Sequence, residues 1–186
     1  MSIIDITVVA DPNAIVRDHT ISSNATVIPL NNAGKGYVFS VTYWNDVNHG
    51  TYWGPGYNDG QDENEGGFGL DIKAEIKDTI HWRMASLTGG FEYQCFLQAI
   101  VPVGGTAVMA SGGTKSEVVS CAVQDAQGNV IAKQINDYYW ESTITAKGTE
   151  AYHVQFSIFD SNGSRVGIFS VDPYVQVPGV SMYSLS

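Results

Sequence analysis

Residues 151–171 read AYHVQFSIFDSNGSRVGIFSV, and this stretch decides the fold class of the chain. In its first half, apolar side chains occupy every second position, which is the period of a strand with one buried and one solvated face. These apolar positions are Tyr152, Val154, Phe156 and Ile158. The segment Ser161-Asn162-Gly163 then gives a strong turn signal, because Asn and Gly tolerate positive φ. The stretch therefore predicts a β-hairpin whose second strand ends at Val171.

The same alternation recurs along most of the chain. Its apolar positions include Ile4, Ile6 and Val8; Tyr37, Phe39, Val41 and Tyr43; Leu70, Ile72, Ala74 and Ile76; Phe91, Tyr93, Cys95, Leu97 and Ala99; and Val119, Cys121 and Val123. About ten strands with one polar face each predict an all-β fold, a single antiparallel two-sheet β-sandwich over residues 1–186. A closed barrel is the alternative. One short helical turn is predicted at Asp11-Pro12, since Asp caps a helix and Pro favours its first position.

The charge balance disfavours several classes of partner. The chain has nine basic and nineteen acidic residues and a formal net charge of −10, so nucleic acid and anionic membrane surfaces would be repelled. No apolar run reaches the roughly 18 residues that a membrane helix needs. The N-terminus has no basic region followed by an apolar one, so it does not resemble a signal peptide. We therefore expect a cytoplasmic protein that does not insert into membranes.

Two cysteines, Cys95 and Cys121, lie at apolar-face positions of separate predicted strands. A disulfide scaffold would use more cysteines and a secretory signal. Free cysteine is among the most buried residue types. We therefore expect two buried, reduced thiols.

The sequence lacks the common catalytic signatures. It contains no Gly-x-Ser-x-Gly elbow, no His-Glu-x-x-His motif and no phosphate-binding glycine loop before a helix. Two of its four histidines, His81 and His153, lie on the polar faces of strands, where a solvated or cross-strand role is expected. A glycosidase needs an acid with a raised pKa and a second carboxylate, but the clustered carboxylates lie in one hydrophilic loop. A non-enzymatic protein is therefore expected.

The loop at residues 45–68 falls outside the strand pattern, and structureless loops of this length are often functional. It mixes aromatic rings with amides and carboxylates, as a sugar site does, because a pyranose packs on a ring while polar groups bond its hydroxyls. The candidate ligand-binding residues are Asp46, His49, Trp53, Tyr57, Asn58 and Asp59. The acidic surroundings favour a neutral sugar or glycan. The alternative is that the aromatic residues only pin down a glycine-rich loop.

The carboxylates of this loop could bind Ca²⁺ instead of sugar hydroxyls. Its carboxylates include Asp59, Asp62, Glu63 and Glu65. The EF-hand pattern fails, because the twelfth position counted from Asp62 is Lys73 rather than a bidentate acid. No cofactor is therefore predicted, and an irregular Ca²⁺ site built from loop oxygens is the alternative.

Three parts of the sequence have a familiar order and spacing. They are Ile4–Val9 (IDITVV), Asp78–Arg83 (DTIHWR) and the closing stretch from Tyr138-Tyr139-Trp140-Glu141 to Val171-Asp172-Pro173-Tyr174-Val175. Together they resemble the bacterial inclusion body protein family, the PixA/AidA-like proteins, over nearly the whole chain. The resemblance implies a non-enzymatic β-sandwich protein that is abundant in the bacterial cytoplasm. It also implies an association with inclusions, density-dependent (quorum-sensing) expression and life with a host, but it assigns no ligand residues.

Two functions are therefore open. The first is a lectin-like protein, linked to host association, that binds a neutral sugar through the 45–68 loop. The alternative is a structural or storage protein that self-assembles into cytoplasmic inclusions without a small-molecule ligand. A homo-oligomer is expected, because exposed strand edges and an aromatic-rich loop favour self-association.

Overall fold

Two β-sheets and one short helix make up the described part of the fold, which is taken from a computed structural model. The described residues are 1–19, 21, 26–30, 36–43, 46, 70–87, 92–172 and 174–177. The elements in chain order are β1 (Ile3–Ala10), α1 (Pro12–Asp18), β2 (Val27–Pro29), β3 (Val38–Val41), β4 (Asp71–Lys73), β5 (Thr79–Ser86), β6 (Tyr93–Gly105), β7 (Gly113–Gln124), β8 (Val130–Thr143), β9 (Gly148–Asp160), β10 (Arg165–Val171) and β11 (Tyr174–Val177). The predicted β-sandwich is confirmed.

The two sheets are mixed rather than purely antiparallel, which corrects part of the prediction. The first sheet has the strand order β3-β1-β5-β8-β7, and the second has the order β2-β10-β9-β11-β4 with β6 paired to β9. Three pairs run parallel: β1 with β5, β10 with β2, and β11 with β4. Each pair joins strands far apart in the sequence, so the intervening chain is long enough to make a crossover.

The two local predictions hold in detail. In the β9–β10 turn, the N–H of Asp160 donates to the carbonyl of Ser164 at 3.0 Å, and Gly163 has a φ of +76°. In α1, the Asp11 carboxylate accepts the N–H of Ala14 at 3.0 Å, and Pro12 is the first helical residue. Among the described residues, no helix is long and apolar enough to cross a membrane.

The core lies between the two sheets. The alternate residues of β1 are buried, as their spacing predicts: Ile4, Ile6, Val8 and Ala10. The largest fully buried side chains are Trp82, Tyr152, Phe156 and Phe169. Trp82 Nε1 donates to the hydroxyl of Tyr152 at 3.3 Å, and this bond joins β5 of the first sheet to β9 of the second.

The prediction of two buried thiols is half right. Cys95 is buried, whereas Cys121 is partly exposed, as are its neighbours Val119 and Val123 on the same face of β7. The reason is that β5 and β8 pair only as far as Trp82 opposite Trp140. Beyond that point β7 and β8 continue as a two-stranded hairpin, so apolar alternation there does not mean burial in the core.

Candidate functional site

One of the six predicted ligand-binding residues, Asp46, lies within the described residues. The other five, His49, Trp53, Tyr57, Asn58 and Asp59, lie outside them. The backbone N–H of Asp46 donates to the carbonyl of Tyr43 at 2.9 Å, just after β3. Burial raises the pKa of the Asp46 carboxyl, and the negative charges of Asp78 and Asp5 raise it further. Asp46, the one described residue of the predicted site, therefore lies in an acidic region.

A cluster of charged and aromatic side chains covers the outer face of the first sheet. We call it the polar cluster. It consists of Asp5, His81, Arg83, Asp137, Tyr139 and Glu141. The strand register brings these residues together, because β1 places Asp5 opposite His81 and β8 places Glu141 opposite His81 on the other side. Residues directly opposite each other on neighbouring strands share one face of the sheet.

His81 is the buried centre of the polar cluster, with an exposed fraction of 7%. Its Nε2 lies 3.1 Å from a Glu141 oxygen, and its Nδ1 lies 3.7 Å from an Asp5 oxygen. The ring of Tyr139 packs on the imidazole, with the two ring centroids 4.3 Å apart. Both imidazole nitrogens therefore face carboxylates, which is the cross-strand role that the sequence offered as one of two.

Arg83 links three strands at the point where β8 leaves β5. Its Nη2 lies 2.8 Å from Asp137 on β8, and its Nη1 pairs with Asp5 on β1. The guanidinium carbon lies 5.0 Å from the centroid of the Tyr139 ring, within the range of a cation–π contact. Arg83 therefore fastens the base of the β7–β8 hairpin to the rest of the first sheet.

Through these contacts, the polar cluster holds the strands β1, β5 and β8 together. His81 and Arg83 are both held by carboxylates, and the Tyr139 ring packs against both side chains. Within the part of the chain that the structure describes, no three His, Cys, Asp or Glu side chains are placed to hold a metal ion.

Beyond the polar cluster, the β7–β8 hairpin extends past the other strands. Its register is uninterrupted from Gly113 opposite Glu141 to Gln124 opposite Val130. We call residues 118–135 the arm. Four apolar side chains of the arm are 41–73% exposed: Val118, Val130, Ile131 and Ile135. Among the described strands, β8 alone pairs with β7.

The concave surfaces on the described part of the sandwich include the following two. A groove of about 550 Å³ at the base of the arm is lined by Arg83, Met84, Cys95, Phe96, Leu97, Thr114, Asp137, Tyr138, Tyr139 and Trp140. A concavity of about 750 Å³ beside the β9–β10 turn is lined by Gln94, Phe96, Gln98, Phe159, Asp160, Ser161 and Gly163. We call the second one the turn concavity, and it combines two aromatic rings with amide groups.

The sequence prediction missed the turn concavity and the arm. A signal for the concavity was present, because Phe96 is a large apolar residue at a polar-face position of β6 and is 50% exposed. For the arm, the sequence pattern did not reveal the length of the two strands that the turn between Gln124 and Val130 joins, which are far longer than the usual 5–6 residues. They span twelve and fourteen residues.

Comparison with known proteins agrees with this fold. The model of the PixA family, described as inclusion body protein, matches residues 2–177. The crystal structure of an inclusion body protein (PixA) from Burkholderia cenocepacia J2315 is similar, with a TM-score of 0.69 and 22% identity over 95% of this chain and 96% of that one. A comparison with curated proteins finds no match. Because the family match spans nearly the whole sequence, the chain belongs to the PixA family of inclusion body proteins.

Proposed function

We propose that this protein is a non-enzymatic structural protein that self-assembles into inclusions in the cytoplasm. The arm is the observation that carries the proposal. A two-stranded hairpin is only marginally stable by itself in water, and exposed strand edges pair readily with other chains. A second copy of the chain supplies the partner that the arm lacks among the described residues, and self-assembly agrees with membership of an inclusion body family.

The distribution of charge supports the arm as the place where copies meet. The whole chain has a formal net charge of −10, so two copies repel each other over most of their surfaces. Residues 118–135 contain one acidic residue, Asp125, and one basic residue, Lys133. The arm is therefore formally neutral, and it presents apolar side chains where repulsion is weakest.

Shortening the arm tests this function. Val119 lies opposite Ile135, so residues 120–134 can be replaced by an Asn-Gly turn that closes a shorter hairpin. We expect the parent to form species larger than 20.1 kDa as its concentration rises, measured by light scattering after size exclusion, and the shortened variant to stay monomeric. Unchanged far-UV circular dichroism is the control for folding. A parent that remains monomeric at high concentration would contradict the proposal.

The composition of the 45–68 loop supports a second candidate, lectin-like binding of a neutral sugar. Trp53 or Tyr57 would supply the stacking ring, and Asp46, Asn58 or Asp59 would bond the hydroxyls. The acidic region beside Asp46 repels sulfated and sialylated glycans. Each site would bind weakly, with a dissociation constant on the order of micromolar to millimolar. The reason is that hydrogen bonds to the sugar replace hydrogen bonds to water at little net gain in free energy. An oligomer would add avidity, and a host glycan as ligand would link binding to host association.

Retention on neutral-sugar resins separates this candidate from simple assembly. We expect Trp53→Ala and Asp59→Ala to abolish retention, and a chelator to abolish it as well if the loop carboxylates hold Ca²⁺. Phe96→Ala is the matched aromatic control, because Phe96 lies in the turn concavity. Retention lost in Phe96→Ala alone would place the site in the turn concavity instead of the loop. Failure of the parent to bind any neutral sugar would remove the lectin candidate.

A further inference from the structure

Strand β7 is one of the two edges of the first sheet, which has the order β3-β1-β5-β8-β7, and among the described strands only β8 pairs with it. We propose that β7 pairs antiparallel with β7 of a second copy, so that two five-stranded sheets become one continuous sheet across a dimer. The proposal rests on the self-assembly function proposed above and names the surface through which two copies first meet.

Within β7, residues 118–124 lack the features that usually protect a strand edge, whereas the charged Lys115 and Glu117 lie nearer the sandwich. Proteins block exposed edges with charges, proline, bulges or very short strands. The register of β7 with β8 has no shift over its twelve pairs. Residues 118–124 (VVSCAVQ) contain no charged residue and no proline, and the Val118 side chain is 65% exposed. As far as the described residues show, this segment is therefore a regular strand edge with which another strand can pair.

The other sheet edges among the described residues are less suitable. The opposite edge of the first sheet, β3, has four residues, and the edges β2 and β4 of the second sheet have three each. Strand β6 is long, but its pairing with β9 is irregular at two places and it contains Pro102. A register shift twists an edge away from a partner, and proline cannot donate to a ladder. The described part of the fold therefore leaves β7 as its longest regular edge.

A second β7 fits this edge better than an unrelated strand does. Antiparallel pairing of a strand with its own copy creates a two-fold axis, so the contact closes as a dimer. The uncharged segment 118–124 of each copy faces the same segment of the other, and the net negative charges of the two sandwiches stay apart. The two-stranded arm becomes a four-stranded ribbon, which removes the marginal stability of a lone hairpin.

Paired lysine variants test the contact. Val118 and Ser120 lie on one face of β7, opposite Asn136 and Gln134 of β8, and all four side chains are exposed. With residues 118–124 of the two copies facing each other, the double variant Val118→Lys/Ser120→Lys adds four positive charges to one face of the new strand pair, and the two charges at position 120 are diagonal neighbours. We expect its dimer dissociation constant to rise at least about tenfold, because like charges on long side chains at neighbouring positions of paired strands repel.

The matched control is Gln134→Lys/Asn136→Lys. It adds the same charge to the same face of the arm, one strand further from the edge, and it should change the dissociation constant less than about twofold. Sedimentation over a dilution series measures the constants, and thermal unfolding checks that each variant is folded. Cys121 is a native probe because Cys95 is buried. A short bis-maleimide should therefore give a covalent dimer in the parent and the control, but not in Val118→Lys/Ser120→Lys.

The results for the lysine variants and the cross-linking test the β7 contact separately from the proposed self-assembly. If dimerisation is weakened in Val118→Lys/Ser120→Lys alone and the parent cross-links through Cys121, the result supports β7 pairing. If dimerisation is weakened equally in the two lysine variants, the copies meet through the exposed face of the arm that both variants alter. That result would overturn the edge contact. Unchanged assembly in both would also overturn it, while the proposed function stands. A parent that is monomeric at every concentration and does not cross-link would overturn both.

Discussion

The carboxylate of Asp78 accepts a hydrogen bond from the backbone N–H of Ser2 at 2.7 Å, across 76 positions of the chain. Its other oxygen accepts the N–H of Glu75 at 3.0 Å, and its backbone carbonyl accepts the N–H of Ile144 at 2.8 Å. Asp78 is buried, with an exposed fraction of 6%. It therefore holds the start of β1, the turn before β5 and the end of β8 in one place.

Replacing Asp78 with Asn should lower stability in a pH-dependent way. Burial opposes the charged form, but the N–H groups of Ser2 and Glu75 outweigh it, so the pKa of Asp78 is lowered. A lowered folded-state pKa stabilises the fold above the ordinary pKa of about 3.9, and this contribution is lost as the pH falls through the folded value. We expect Asp78→Asn to reduce the free energy of unfolding by about 1–3 kcal/mol at pH 7.

Urea unfolding at pH 7 and at successively lower pH values checks this prediction. The difference between Asp78→Asn and the parent should shrink as the pH falls from about 4, where the unfolded chain begins to protonate Asp78, through the lower folded-state pKa, where the folded parent does so too. A difference that stays constant down to the acid transition would show that the charge on Asp78 contributes nothing.

The two thiols should differ in reactivity. Burial raises the pKa of Cys95 to about 12, and only the thiolate reacts with aromatic disulfide reagents. Cys121 is partly exposed on the arm. At pH 8 we expect one thiol to react in the native protein and the second only after denaturation. Cys121→Ser should remove the native reaction, and two reactive thiols in the native parent would contradict the burial of Cys95.

The bond between Trp82 and Tyr152 should be worth less than the packing around it. Both side chains are at most 1% exposed, and their ring centroids lie 5.7 Å apart. Trp82→Phe removes the donor and leaves a cavity, so we expect the free energy of unfolding to fall by about 2–4 kcal/mol. Tyr152→Phe removes only the hydroxyl and should lower it by about 0.5–1.5 kcal/mol. Equal losses in chemical denaturation would mean that the hydrogen bond dominates.

Local features of this fold follow from the sequence, whereas the pairing of distant strands does not. The β9–β10 turn and α1 depend on neighbouring residues, such as Asn162-Gly163 and Asp11-Pro12, whose backbone preferences act locally. The period of 2 is the same in parallel and antiparallel pairs, so it did not reveal that β1 runs parallel to β5. Alternation also shows which side chains share a face, but not whether another sheet covers that face, and this is why Cys121 was wrongly expected to be buried.

The candidate site likewise contains features that the sequence could predict and features that it could not. The polar cluster depends on the register between β1, β5 and β8, which brings Asp5 and Glu141 to His81 from positions far apart in the sequence. No pattern within one strand could predict that meeting. The family resemblance is confirmed by the match over residues 2–177. The sugar-binding residues of the 45–68 loop remain a prediction, with Asp46 alone among the described residues.

The last prediction concerns Arg83, whose ion pairs hold the base of the arm. Replacing it with Met keeps most of the apolar stem but leaves the carboxylates of Asp5 and Asp137 close together without a cation. Because both carboxylates are partly exposed, we expect a modest loss, about 1–2 kcal/mol in the free energy of unfolding. We also expect faster amide hydrogen exchange in residues 137–140, where β8 separates from β5.

Arg17→Met is the matched control, since the ion pair of Arg17 with Asp18 is between adjacent, exposed residues and should contribute nothing measurable. Urea unfolding at low and high salt separates two contributions of Arg83 to stability, its charge between Asp5 and Asp137 and its packing on Tyr139. Salt screens the repulsion between Asp5 and Asp137, so a loss that shrinks in high salt identifies the charge as its source. A loss that persists in high salt would instead assign it to the packing of Arg83 on the Tyr139 ring. If Arg83→Met behaves like Arg17→Met, the arm is held by its strand pairing alone.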